Sequence, residues 1–255
     1  MTSQPRRAAR RALIGALVAL QLLVLLPSSA GAVQEFRLDL AGKRDYVAQT
    51  NFVQCVGASM QMMLNIIGDT NDRTASTQLD LQNLARDLSG RRGDGRQRQG
   101  ASVRGWAGGL NRLGAGPYRL IGTTTLEEAL RVAAEAIRET GRPVGLLVWR
   151  GRHAWVMSGF HATADPRLSD DFAVTAAIVM DPLYPHGSSV WGPSPTPREA
   201  LAPSELGRQF VPRRQGSMPS GSGPGVSLMA GLAGKYVLVL PYEATPAVRL
   251  VPVAL

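Results

Sequence analysis

Four side chains in this sequence have the types and spacing needed for acyl-transfer chemistry: Gln49, Cys55, His153 and Asp181. Cys55 is the only cysteine of 255 residues. It opens the run CVGASMQMMLNII (Cys55 to Ile67), in which Ala58, Met62, Met63 and Ile66 recur at three- and four-residue spacing, the mark of a helix. A helix N-terminus carries partial positive charge and unsatisfied N–H groups, and both favour a thiolate over a thiol. The competing reading is a small, inert, buried hydrophobe. His153 opens an apolar strand after the turn Trp149-Arg150-Gly151-Arg152, and Asp181 closes another before Pro182. Taken singly, these read as a loop histidine and a turn former. If the two strands are antiparallel neighbours, the start of one meets the end of the next and His153 lies opposite Asp181. Asp181 then fixes the imidazole's tautomer, and the other ring nitrogen faces Cys55. Nucleophile, base and orienter then stand in one row. Gln49, six residues before Cys55, supplies a side-chain amide for a developing oxyanion beside the Cys55 N–H. Gln54 and Asn51 rank behind it. His161 lies eight residues along the same strand, about 26 Å away at ~3.3 Å per residue. It and His186, in a Pro/Gly-rich stretch, are weaker bases.

The elements that must position these groups follow from periodicity. Val33 to Leu40 reads as a short strand or extended lead-in, Thr77 to Leu88 as a second helix, and Val103 to Leu113 as a short one. Thr125-Leu126-Glu127-Glu128 has the form of a capping box. The helix it opens ends at Gly141, ahead of Pro143. From there the pattern changes to strands at Val144–Trp149, His153–Phe160, Phe172–Met180 and Lys235–Leu240. Residues 185–226 are rich in Pro, Gly and Ser and read as a long surface loop, with a possible short helix at Arg198 to Phe210. Helices first and an antiparallel sheet after predict an α+β fold with the helices packed on one side of the sheet.

The whole chain narrows the setting. Arg6, Arg7, Arg10 and Arg11 precede an apolar stretch, Ala12 to Leu26, and the small-x-small triplet Ala30-Gly31-Ala32 follows. This is the form of a signal peptide over residues 1–32. The run of about 15 apolar residues is short for a transmembrane helix; an uncleaved membrane anchor is the alternative. The expected location is secreted or cell envelope, with residues 33–255 as one domain. Loss of 1–32 lowers the formal net charge from +9 to +5. A basic cluster (Arg86, Arg91, Arg92, Arg96, Arg98) is interrupted by glycines and lacks interleaved aromatic residues, so it does not point to nucleic acid. One cysteine excludes an intrachain disulfide framework, and one Cys with three scattered His does not make a structural zinc set. No cofactor and no metal are expected, and a monomer is.

Taken together, Gln49-Thr50-Asn51-Phe52-Val53-Gln54-Cys55-Val56-Gly57-Ala58-Ser59-Met60-Gln61-Met62, Arg142-Pro143-Val144, Gly151-Arg152-His153-Ala154-Trp155-Val156, Gly159-Phe160 and Val179-Met180-Asp181-Pro182 resemble bacterial papain-like cysteine peptidases. More narrowly they are similar to the branch related to the bacteriocin-processing (double-glycine leader) peptidases, whose final strand Gly234 to Pro241 also resembles. The resemblance spans roughly residues 45–241. It implies a Cys55 nucleophile, a His153 base, an Asp181 orienter and a Gln49 oxyanion donor. The implied substrate is a peptide or protein. Gln54 stands where many relatives carry a small or acidic residue, and no transporter domain follows in this sequence. Two other classes use the same constellation: a binding module without turnover, and a transpeptidase or amide transferase working through the same acyl-enzyme.

Overall fold

The computed structural model describes residues 35–90, 99–214 and 230–243. The 1–32 segment, Arg91 to Arg98 and residues 215–226 of the Pro/Gly/Ser-rich stretch lie outside them. The helix expected to begin at Cys55 forms as α1 (Cys55–Gly68) after the strand β1 (Phe36–Asp39). It ends one residue later than Gly68 alone would dictate, because Asp69 takes the left-handed position at φ 48°. Helices α2 (Ala75–Leu88) and α3 (Val103–Arg112) follow, each capped by a hydroxyl: Thr74 accepts from Thr77 N, and Ser102 from Gly105 N. After β2 (Tyr118–Thr123) comes α4 (Leu126–Thr140). Thr125 caps α4 by accepting from Glu128 N at 3.1 Å, while the Glu128 carboxylate reaches back to Thr124 N at 3.2 Å. Gly141, at φ 63°, stops it, a left-handed position that glycine adopts without cost.

Strands β3 (Val144–Val148), β4 (His153–Ala162) and β5 (Val174–Met180) come next. Two short strands, β6 (Gly187–Ser188) and β7 (Gly192–Pro193), pair with each other; β8 (Glu199–Leu201), α5 (Pro203–Leu206) and β9 (Tyr236–Pro241) complete the order. The fold is α+β. Its seven-stranded sheet runs β2-β9-β3-β4-β5-β8, with β1 added beside the far half of β4, and every pairing is antiparallel.

The helices do not all lie on one side of this sheet. Alternate residues of the central strands enter two cores. Val144, Leu146, Val148, Trp155, Met157, Leu238 and Leu240 pack with Ala129, Leu130, Ala133 and Ile137 of α4. Leu147, Ala154, Val156, Val237 and Val239 pack with Met60, Met63, Leu81, Trp106 and Leu110 of α1 to α3. All five residues of β3 are buried, as a strand covered on both faces requires. Of the short helix expected over Arg198–Phe210 only Pro203–Leu206 forms, as α5; Glu199–Leu201 before it is β8, which pairs with β5. Pro203 has no N–H to give and its ring would clash one turn back, so a helix here can only begin at Pro203. Strand β2 carries no clear alternation in YRLIGT; it forms because β9 pairs it along all six residues.

Candidate active site

The strand pair β4–β5 carries the base and its partner. The imidazole Nε2 of His153 lies 2.6 Å from Asp181 Oδ1, with His153 4% and Asp181 0% exposed. Asp181 Oδ1 also accepts from Leu183 N at 2.8 Å. The His153 ring stacks on Trp149, ring centroids 4.1 Å apart. Trp149 is itself fixed, donating its indole N–H to Gln209 Oε1 at 2.8 Å and its backbone N–H to Gln209 O at 2.9 Å. Cys55, the first residue of α1, faces His153 closely enough to raise its pKa. Cys55, partly buried, packs on the α1–α3 core, whereas Trp149 belongs to the α4 core. Cys55, His153 and Asp181 thus meet at one end of the sheet, where the two cores adjoin.

The way Asp181 reaches His153 was not readable from strand order. The last pair of the ladder is Val156↔Met180. Continuing it sets Asp181 across from Trp155, so His153 is its diagonal neighbour and not its direct one, still within reach on the same face. A register shift between Met157 and Gly159 makes this possible. Carried through without the shift, the pairing Phe160↔Ala177 would put Asp181 across from Val156, on the opposite face. A one-residue slip inverts which face a side chain takes, and a bulge is how a strand makes one. Ser158 is the extra residue. Its hydroxyl donates to Asp39 Oδ1 at 2.8 Å and its carbonyl accepts from Leu40 N at 3.0 Å. Arg198 holds the other oxygen of Asp39 at 2.8 Å. At Gly159 a Cβ would stand 2.1 Å from Leu38 O and 2.6 Å from Asp39 Cα, so β1 can approach only a glycine. Gly159→Ala is therefore expected to destabilise the fold by about 3 kcal/mol and to weaken the His153–Asp181 contact. Urea denaturation of the variant, with wild-type midpoint retained as the contrary result, checks this.

The segment before Cys55 is held by two buried glutamines, one turn apart on α2. Gln78 accepts from Thr50 N at 2.8 Å and donates to Ala48 O at 2.9 Å. Gln82 donates to Val53 O at 2.9 Å and accepts from Gly57 N, in the first turn of α1, at 2.9 Å. No side chain caps α1 at Gln54; Gln82 does that work from outside. Gly57 lets the helices come this close, since a Cβ there would lie 2.6 Å from Gln78 O. The Cys55 N–H is taken by no acceptor among the described residues. It stands free to bind an oxygen, as the first N–H groups of a helix do. The glutamines were missed from sequence; their spacing beside Leu81 and Ala85 on the inner face of α2 was the available signal.

Gln49 sits in the same segment, its backbone N–H bonded to Pro182 O at 2.7 Å, next to Asp181. Its side-chain amide donates to Asn51 O at 2.9 Å, and its Oε1 is buried without a partner. One of its two N–H donors is thus engaged within its own loop, and the other takes no acceptor among the described residues. Gln54 is buried, and the Thr50 hydroxyl donates to its Oε1. His161 pairs with Arg37 at the far end of β4, its Nδ1 3.7 Å from Glu35, and His186 is exposed. Of the tryptophans, Trp106 and Trp155 are core, whereas Trp149 and Trp191 line a cavity beside His153. Among the described residues no group of three or more His, Cys, Asp or Glu side chains is placed to hold a metal, and no helix is long and apolar enough to cross a membrane.

Burial alone would push the His153 imidazole below its ordinary value. The Asp181 hydrogen bond and the facing Cys55 outweigh burial and raise it from 6.5 to about 9. A raised value means that protonation favours the folded state. That stabilisation is complete below about 6.5 and is lost as pH rises through about 9, on the order of 3 kcal/mol. The expected result is a urea midpoint that falls between pH 6.5 and 9.5 in the wild type and much less in His153→Gln; equal slopes would contradict it. No family model, no curated protein and no solved structure matches this chain.

Proposed function

We propose that this protein is an exported cysteine peptidase of papain-like architecture, cleaving peptide bonds through Cys55, His153 and Asp181. The observation that carries the reading is the juxtaposition at the sheet end: a thiol on the first turn of a helix, facing an imidazole whose Nε2 is held 2.6 Å from a fully buried carboxylate. Cys55 Sγ attacks the scissile carbonyl carbon, and the electron pair of the C=O moves to oxygen. The free Cys55 N–H and a side-chain amide of the preceding segment stabilise that oxyanion. Collapse breaks the C–N bond while His153 gives its Nδ1 proton to the leaving amine. Water then adds to the thioester, returning its proton to His153, and the C–S bond breaks to release the acid. Asp181 holds the ring orientation throughout. Export rests on the basic, apolar and small-residue pattern of residues 1–32.

The test is chemical. Iodoacetamide should alkylate Cys55 in the folded protein at least ~10-fold faster than a free thiol at pH 7. A peptide ester should leave an acyl-enzyme on Cys55 detectable by mass spectrometry. A slow, unexceptional thiol with no acyl adduct would overturn the reading. One observation bears on a second reading, a peptide-binding module without turnover: the Gln49 amide spends one of its two N–H groups on Asn51 O. Ligand binding that persists in wild-type protein without an acyl-enzyme would support that module.

A further inference from the structure

Trp149 covers one face of the His153 ring and also forms a wall of a cavity of about 510 Å³. Its other walls include Trp191 and Val190, the latter 78% exposed. Arg150, Arg152 and Arg214 line the same cavity. All three arginines are exposed, and none makes an ion pair among the described residues. Elsewhere Arg138 forks onto both oxygens of Asp165, and Arg198 reaches Asp39 Oδ2.

The cavity is built rather than incidental. Trp149 and Arg150 both hold left-handed backbone, at φ 57° and 56°, a conformation that costs a bulky residue energy and clusters at functional sites. The turn is secured by Gln209 on Trp149 and by Arg214 N donating to Arg150 O at 3.1 Å. Two indoles and an aliphatic side chain suit the apolar stem of a bound residue, and three cations with no ion pair among the described residues suit an anionic end.

The cavity shares Trp149 with His153, the group that protonates the leaving amine. The half of the substrate that carries that nitrogen must lie nearest His153. We propose that this cavity is the leaving-side subsite and selects peptides with an acidic residue in the first positions after the scissile bond. The proposal rests on the peptidase reading for its direction, though not for its charge preference.

Internally quenched peptides with one acyl side, differing only in Glu, Gln or Lys at the leaving-side positions, test it. The wild type is expected to cleave them in the order Glu, Gln, Lys, with kcat/KM at least ~10-fold higher for Glu than for Lys. That ratio should shrink as salt rises from about 0.05 to 0.5 M. Arg152→Glu with Arg214→Glu should invert the ratio, and Arg152→Lys with Arg214→Lys should retain most of it. Cleavage at equal rates, with the ratio unmoved by charge reversal, overturns the subsite and leaves the peptidase standing. If no peptide is cleaved, the peptidase reading fails. The Cys55→Ala protein, titrated with the same peptides by tryptophan fluorescence, then decides the cavity alone. Tighter binding of the Glu peptide upholds the charge preference. Equal affinity, or binding of an oligonucleotide and not of the Glu peptide, overturns it.

Discussion

Cys55→Ala is expected to lose peptide hydrolysis by about 10⁴-fold or more while keeping its fold. Removing the nucleophile deletes the covalent route entirely, and what remains is binding and oxyanion stabilisation, which act weakly without an attacking group. The fold should survive because Cys55 is only partly buried and makes its packing contacts at the edge of the α1–α3 core. Alanine also starts a helix well. The loss should appear in kcat with KM little changed, since the thiol acts in the transition state and not in holding the ground state. Circular dichroism and a urea midpoint close to wild type would separate a catalytic from a structural effect. Hydrolysis retained within tenfold of the wild type would refute Cys55 as nucleophile.

Asp181 should show two separable effects. The carboxylate is fully buried, accepts from His153 and from Leu183 N, and its Oδ2 has no partner among the described residues. Asp181→Ala leaves a buried imidazole and a buried N–H without their acceptor, which should cost about 3–5 kcal/mol of stability. Asp181→Asn keeps the shape and can still accept from one donor, so its stability loss should be smaller, about 1–2 kcal/mol. Its activity should nonetheless fall by about 10²-fold or more, because a neutral amide stabilises the imidazolium less and no longer fixes one tautomer. The signature that a purely structural role would not produce is the pH profile. With the carboxylate gone, the His153 titration should move from about 9 back toward its ordinary value, drawing the alkaline limb of kcat/KM to lower pH. An unchanged limb would show that Asp181 does not act through His153.

Much of the local structure was legible in the chain. Thr125 and Gly141 bound α4 as their chemistry dictates, and the three-to-four spacing after Cys55 is that of α1. The apolar runs that became β3, β4, β5 and β9 were each found within two residues of their ends. What failed did so for stated reasons. Strand β2 has no alternation of its own and is made by β9. Within Arg198–Phe210 the helix is confined to Pro203–Leu206, because Pro203 can only open a helix and the residues before it pair with β5. Helices on one side of the sheet are not enough for Val144 to Val148, apolar at nearly every position and covered on both faces.

For the site, residue type and order determined the candidates. A single cysteine, a histidine opening one strand and an aspartate closing the next could be named without coordinates, because helix ends and strand ends are written in local sequence. Only the tertiary structure decided how they meet. Whether Asp181 points toward His153 depends on one extra residue, Ser158, which inverts the register of β4 against β5 and is held by Asp39 from the other end of the chain. The clamp on the segment before Cys55 comes from Gln78 and Gln82 on a different helix, and the cavity beside His153 from Trp191 and Arg214, far along the sequence. Hydrogen bonds between residues distant in sequence leave no periodicity to read, whereas caps and apolar stripes do.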